Sequence, residues 1–327
     1  MSSELGARKV FFREAIARAV HEAMSADPRV ILLGQDVGAF GGAYKEFQGL
    51  YEAFGPARVR DTPVAEAAMV GIGAGAAAAG YRPLVSITYM DFLVLGLDAL
   101  VNYAAKARFK TAGRLTAPVV VKTTSGAHGQ GVAHSQCLES WLMSVAGLTV
   151  VAPATAADAY GLMLSALDHD GPIVFVDHKR LYPTTGEVPL DPTPTPIGKA
   201  AVRRHGRHAT ITAHGYMVRV ALEAAARLEE AGIDCEVIDL RTLTPLDLST
   251  IAESVDRTRA LVTLEEGQTP CGVGTEVAFR VQRMVGAIRV ARVGAMPAPV
   301  SSNPVLEAAV VPDAARVLRA VHRMLDA

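Results

Sequence analysis

Glu66 has the sharpest chemical setting in the chain. It opens the run Glu66-Ala67-Ala68-Met69-Val70-Gly71-Ile72-Gly73-Ala74-Gly75, in the first turn of a helix expected over 63–80. Few other charges stand nearby. Two readings are open. A glutamate at a helix start complements the macrodipole. A carboxylate in an apolar pocket can instead exchange a proton or a hydrogen bond with a bound group. His128 and His134 flank Gly129-Gln130-Gly131 in a glycine-rich loop, 124–134. An imidazole on a loop titrates near neutrality and suits proton transfer, although water or backbone partners would explain it as well. Zinc needs more ligands than these with Cys137, which reads as a small core residue. Ser135 beside His134 is no hydrolase elbow, because no G-x-S-x-G surrounds it. No metal-ligating set is expected in this chain.

The run Gly71-Ile72-Gly73-Ala74-Gly75 is not a dinucleotide fingerprint. That fingerprint puts its glycines between strand and helix, with a third three residues past the second, and here Ala76 stands there. Glycines inside a helix instead let another chain segment approach closely. A helix-on-helix contact, at a subunit boundary, is the expectation.

These residues need a frame to hold them. The first two-thirds of the chain alternates strand and helix signals. Strands are expected at 30–33, 84–88, 118–122, 148–152 and 173–176, with helices at 11–26, 63–80, 91–109 and 156–167 between them. Strands separated by helices mean an α/β fold, a parallel sheet covered on both faces. Open parallel sheets bind ligands at the carboxyl ends of their strands. The segments 61–66, 88–92 and 124–136 follow three such ends, so they are expected at one mouth. The stretch 182–199 holds Pro183, Pro189, Pro192, Pro194 and Pro196 and reads as an extended linker. Beyond it the strand–helix pattern restarts. The expected domains are 1–182, a linker 183–199, and a second α/β domain 200–327 with its own parallel sheet.

Composition excludes several classes. The 327 residues are half hydrophobic and one-fifth charged, enough for large cores and unlike a disordered chain. A net charge of −1 gives no footprint for nucleic acid or an anionic membrane. Three scattered cysteines build no disulfide framework. The start, MSSELGARKVFFREA, carries charges where a secretory leader needs an apolar run. A cytoplasmic chain, binding neither nucleic acid nor membrane, is the expectation.

The motifs together resemble one family. Val59-Arg60-Asp61-Thr62-Pro63-Val64-Ala65-Glu66 is similar to the V-x-D/N-T-P-x-x-E segment of the β subunits of thiamine-diphosphate-dependent 2-oxoacid dehydrogenase E1 components, of pyruvate, acetoin and branched-chain type. Glu66 through Gly75 resembles the thiamine-enzyme pattern E-x-x-x-x-G-Φ-x-x-G. Further matches are Leu33-Gly34-Gln35-Asp36-Val37, Gly41-Gly42-Ala43-Tyr44-Lys45, His134-Ser135-Gln136, Thr242-Leu243-Thr244-Pro245 and Glu265-Glu266-Gly267. They span nearly the whole chain in order, and so favour the functional reading of Glu66.

The resemblance implies a transketolase-like pyrimidine-binding domain followed by a transketolase C-terminal domain. It implies that Glu66 hydrogen-bonds the aminopyrimidine of thiamine diphosphate and that Phe92 packs on the ring. Thr88 would lie beside the cofactor, where a longer side chain is common, and Ser86 stands where glutamate is common. His134 would handle protons around the substrate and the lipoyl acceptor. The family holds the diphosphate through Mg²⁺ on a G-D-G motif, which this chain lacks. Metal and phosphate are therefore expected on an E1 α subunit, in an α2β2 heterotetramer. Some relatives also bind K⁺. The implied activity is decarboxylation or cleavage of a small 2-oxoacid or acetoin-like substrate, with acyl transfer to a lipoyl-bearing E2 chain. The segments at 91–93 and 177–189 lean toward the pyruvate and acetoin types. A split-chain thiamine-dependent carboligase or acyl-transfer enzyme of a biosynthetic pathway shares every residue named. A catalytically silent interaction subunit and a plain nucleotide-binding α/β protein are the readings from other classes.

Overall fold

The computed structural model describes residues 6–326. The chain forms two compact units. One runs up to Ser125 and resumes over Leu142–Ile197. The other takes Gly126–Trp141 and the chain from Gly198 onward.

The first unit begins with strand β1 (Ala7–Phe11) and helix α1 (Phe12–Ala26), followed by β2 (Val30–Gly34), α2 (Leu50–Phe54) and β3 (Val59–Asp61). Then come α3 (Glu66–Ala78), β4 (Arg82–Ile87), α4 (Met90–Asp98), a π-helical stretch (Ala99–Ala104), α5 (Ala107–Lys110) and β5 (Val120–Ser125). After the short α6 (Glu139–Met143) the unit continues with β6 (Thr149–Val151), α7 (Ala156–Asp168), β7 (Ile173–His178) and β8 (Thr185–Pro189). Its sheet has the order β3-β2-β4-β5-β7-β6, and every pair is parallel. Val120, Val121, Ile173, Val174 and Phe175 are buried, as a sheet covered on both faces requires. Because the strands are parallel, the segments leaving β3, β2 and β4 emerge at one edge.

Several short elements, α2, β3 and α6 among them, are not among those expected, and two regions differ in kind. The single helix over 91–109 is broken into α4, the π stretch and α5. A π turn takes about one residue more than an α turn, and a pattern read at the α period alone does not locate that insertion. Within the proline-rich stretch, β8 pairs antiparallel with β1, from Ala7↔Pro189 to Phe11↔Thr185. A two-stranded ribbon accepts proline where a central strand would not.

The second unit contains β9 (Ala201–Arg204), β10 (Ala209–Ala213), α8 (Met217–Glu230), β11 (Cys235–Asp239), the short β12 (Thr242–Thr244) and α9 (Leu248–Thr258). It ends with β13 (Ala260–Gln268), α10 (Val273–Val285), β14 (Arg289–Ala295), α11 (Pro304–Val310) and α12 (Ala314–Leu325). Its sheet order is β14-β13-β10-β11-β9, parallel except for the antiparallel edge strand β9. Asp247, Asn303 and Asp313 cap α9, α11 and α12 by accepting backbone N–H bonds. Among the described residues no helix is long and apolar enough to cross a membrane.

Candidate active site

Glu66 is the first residue of α3. Thr62-Pro63 ends the strand signal, and Ala65 at the cap position offers no side-chain acceptor. The glutamate is buried, with 8% of its surface exposed, and among the described residues no donor reaches its carboxylate. The acceptor capacity of this carboxylate is therefore not used within the described chain.

The helix behind it is fixed by small residues of two kinds. A Cβ on Gly73 would fall 2.4 Å from Val85 and 3.2 Å from Val119, so this glycine lets α3 lie close on β4 and the strand approach to β5. Gly71 and Gly75 meet nothing, and Ile72 between them is 60% exposed. The close approach expected of this run thus divides. One glycine serves the sheet, and two lie on an open face.

Thr88 and Phe92 follow β4. Thr88 is half-buried just past the strand end, and Phe92 sits half-buried in the first turn of α4. Gly96, one turn further on, shares a helix face with Phe92. A Cβ there would be 2.6 Å from Val70 and 3.3 Å from the Glu66 carbonyl oxygen. The start of α3 and the face of α4 that carries Phe92 therefore pack directly. Tyr89 meets Phe92 edge-on, with centroids 6.1 Å apart. Ser86 is buried in register with Gly34 on β2, and a Cβ on Gly34 would come within 2.9 Å of it.

His134 belongs to the second unit, on the loop that follows Gly126. It is half-buried, and its backbone N–H donates to the Gly131 carbonyl at 3.2 Å. His128 is exposed. Gly126, Gly129 and Gly131 have φ of +87, +72 and +77°, which a side chain would strain. Two carboxylates pin this loop: Glu266 accepts the Ala127 N–H at 2.6 Å and Glu307 accepts the Gly129 N–H at 2.7 Å. Sequence reasoning gave neither a role. Glu266 lay in a motif match, and Glu307 had no signal apart from being an acid among apolar neighbours. A cavity of about 340 Å³ in this unit is lined by Ser135, Trp141, Glu266, Gln268, Pro297 and Pro299, among others. The buried Ser135 hydroxyl has no partner there. Next to Glu266, Glu265 accepts the Val273 and Gly274 N–H groups at 2.8 and 2.9 Å. Burial pushes the Glu265 carboxyl up to about 7, against the pull of those two bonds.

Among the described residues, no group of three or more His, Cys, Asp and Glu side chains could hold a metal ion. Cys137 is half-buried rather than core, and Cys137, Cys235 and Cys271 form no disulfide.

A parallel α/β unit with a buried helix-start glutamate, followed by a smaller parallel α/β unit, is the body plan of transketolase-type chains. Residues 8–185 match the transketolase pyrimidine-binding domain, and residues 198–317 match the transketolase C-terminal domain. The chain belongs to this family, on the branch of the E1 β subunits. It is 42% identical over 316 residues to the pyruvate dehydrogenase E1 component subunit beta of Rhizobium meliloti, covering 94% of this chain and 68% of that one. The mitochondrial counterpart of Pisum sativum is 42% identical over 327 residues, with 97% and 90% covered. The beta subunit of acetoin:2,6-dichlorophenolindophenol oxidoreductase from Cupriavidus necator is 38% identical over 333 residues, with 98% of each covered. Among solved structures, a split gene transketolase described as an inactive beta4 tetramer superposes with a TM-score of 0.80 at 26% identity, covering 97% and 98%.

Proposed function

We propose that this chain is the β subunit of a two-chain, thiamine-diphosphate-dependent 2-oxoacid dehydrogenase E1 component, of pyruvate or acetoin type. The observation that carries the reading is Glu66: a buried carboxylate without a donor, at a helix start, in a chain similar to E1 β subunits along almost its whole length.

The residues at hand fit the pyrimidine half of the cofactor. An acceptor carboxylate suits a ring nitrogen, and a half-buried phenylalanine suits a flat heterocycle. Glu66 would hold that ring by one charge-assisted or proton-sharing bond, Phe92 would pack on its face, and Thr88 would lie alongside. When bound, thiamine diphosphate supplies an electron sink for breaking the carbon–carbon bond next to a ketone. Glu66 holds or moves a proton at the pyrimidine nitrogen. His134 gives and takes a proton at the substrate oxygen and at the acyl acceptor, a role suited to a half-buried imidazole on a braced loop. The diphosphate and Mg²⁺ fall to an α subunit, since the chain lacks a G-D-G motif. The exposed apolar residues Val64, Ile72, Leu95 and Tyr103 of the first unit support an assembly with other chains. A lipoyl-bearing E2 would accept the acyl group. We place the assembly in the cytoplasm, where three cysteines outside any disulfide stay reduced.

The test is calorimetric titration of thiamine diphosphate, with Mg²⁺ and K⁺ present, into this chain alone and into its complex with a co-expressed α subunit. Strong binding only by the complex, with 2-oxoacid turnover, is expected. Equal binding by the lone chain, or none by an intact complex, would overturn the reading.

A further inference from the structure

Within the first unit, a fully buried lysine stands behind the candidate site. Lys122, on β5, donates from Nζ to Glu46 Oε1 at 2.9 Å, the Tyr182 hydroxyl at 2.8 Å and Thr124 Oγ1 at 3.1 Å. Asp177 Oδ2, on β7, lies 3.2 Å from the same nitrogen. Glu46 and Asp177 are each 1% exposed. Two carboxylates thus face one ammonium away from water. Burial holds the Asp177 carboxyl above its ordinary value, against the pull of Lys122. Such clusters seldom add stability over an apolar core of the same volume, so their geometry needs another explanation.

The cluster's partners lead to the aromatics at the site. Glu46 uses its second oxygen, Oε2, to accept the Tyr44 N–H at 2.9 Å. Tyr182 stacks on Tyr44, with centroids 4.7 Å apart and planes at 27°. Tyr44 is therefore held at its backbone and at its ring by two residues that both bind Lys122. Its hydroxyl lies 3.3 Å from that of Tyr89, and Tyr89 meets Phe92 edge-on. The loop bearing Tyr44 has no regular structure of its own. Gly42 takes φ +86°, and a Cβ there would sit 2.5 Å from Glu46 Oε2.

We infer that Lys122, Glu46, Asp177 and Tyr182 are positioning residues: they fix Tyr44 and, through Tyr44 and Tyr89, the pose in which Phe92 receives a bound pyrimidine. This rests on the assignment of Phe92 to the cofactor. A loop of variable conformation would present the aromatics in many poses, and each binding event would pay for selecting one.

The experiment is titration of thiamine diphosphate with Mg²⁺ into the α/β complex carrying Tyr44→Phe, Tyr182→Phe or both. Tyr44→Phe removes the hydroxyl contact to Tyr89 and leaves the ring and its backbone bond to Glu46 in place, while Tyr182→Phe keeps the stack and takes the hydroxyl out of the cluster. Each is expected to raise the cofactor Kd about fivefold, the size of one neutral hydrogen bond. The double variant is expected to be no weaker than about fivefold, because both act along one path. The unfolding temperature of the Tyr44→Phe complex should match wild type. Lys122→Arg should bind more tightly than Lys122→Met at equal folding. Wild-type binding with wild-type affinity in both tyrosine variants would overturn the inference and leave the functional reading intact, as would fully additive losses. Failure of the wild-type complex to bind would overturn both.

Discussion

Glu66 and Glu265 are two buried glutamates with opposite provisions. Glu265 is saturated by the N–H groups that open α10, whereas no donor among the described residues serves Glu66. We therefore propose that the first acts on stability and the second on a ligand. The pH dependence follows from the raised Glu265 carboxyl. With a folded value of about 7 against an ordinary 4.5, the native chain binds the extra proton between those limits. Stability from this group is present below about 4.5 and is lost as pH rises through about 7, at no more than about 1.4 kcal/mol per pH unit. Thermal unfolding should show wild type losing stability over that window, with a flatter profile in Glu265→Gln. Parallel profiles would contradict this role. At His134, replacement by Ala should cut acyl transfer by the complex ~100-fold or more, with unfolding unchanged, if it carries protons. Full activity in that variant would remove the assignment.

Helix α3 shows how much an element's sequence reveals. Its alanines and glycines announce close packing, and the contrast between Gly73 and Gly75 specifies where. Gly73→Ala should destabilise the chain by about 1–3 kcal/mol through overpacking on Val85 and Val119. Gly75→Ala meets open space and should be neutral or stabilising by up to about 1 kcal/mol. Denaturant unfolding of the two variants measures both, and equal effects would contradict the packing. The alternation of strands and helices, the restart after the prolines and the Glu66 helix start were legible because each is a local pattern. The Lys122 cluster was not. Its members come from positions 46, 122, 124, 177 and 182, and only the sheet order brings them together. One local signal did exist: a lysine following Val119-Val120-Val121 in a buried strand must find a carboxylate. The pinning of the His134 loop by Glu266 and Glu307 was hidden for the same reason.

At the scale of the molecule, each unit is a complete parallel-sheet core, yet in the proposed reading the chemistry the chain supplies is partial. It offers a carboxylate, an aromatic face and an imidazole, without a motif for Mg²⁺ or diphosphate. In the proposed reading full activity belongs to the pair with an α subunit. The most direct measurement is 2-oxoacid turnover by that reconstituted pair with Glu66→Gln, beside its cofactor affinity and unfolding temperature. The account predicts loss of ~100-fold or more in turnover with folding and pairing intact. Turnover close to wild type in a folded, cofactor-loaded pair would contradict it.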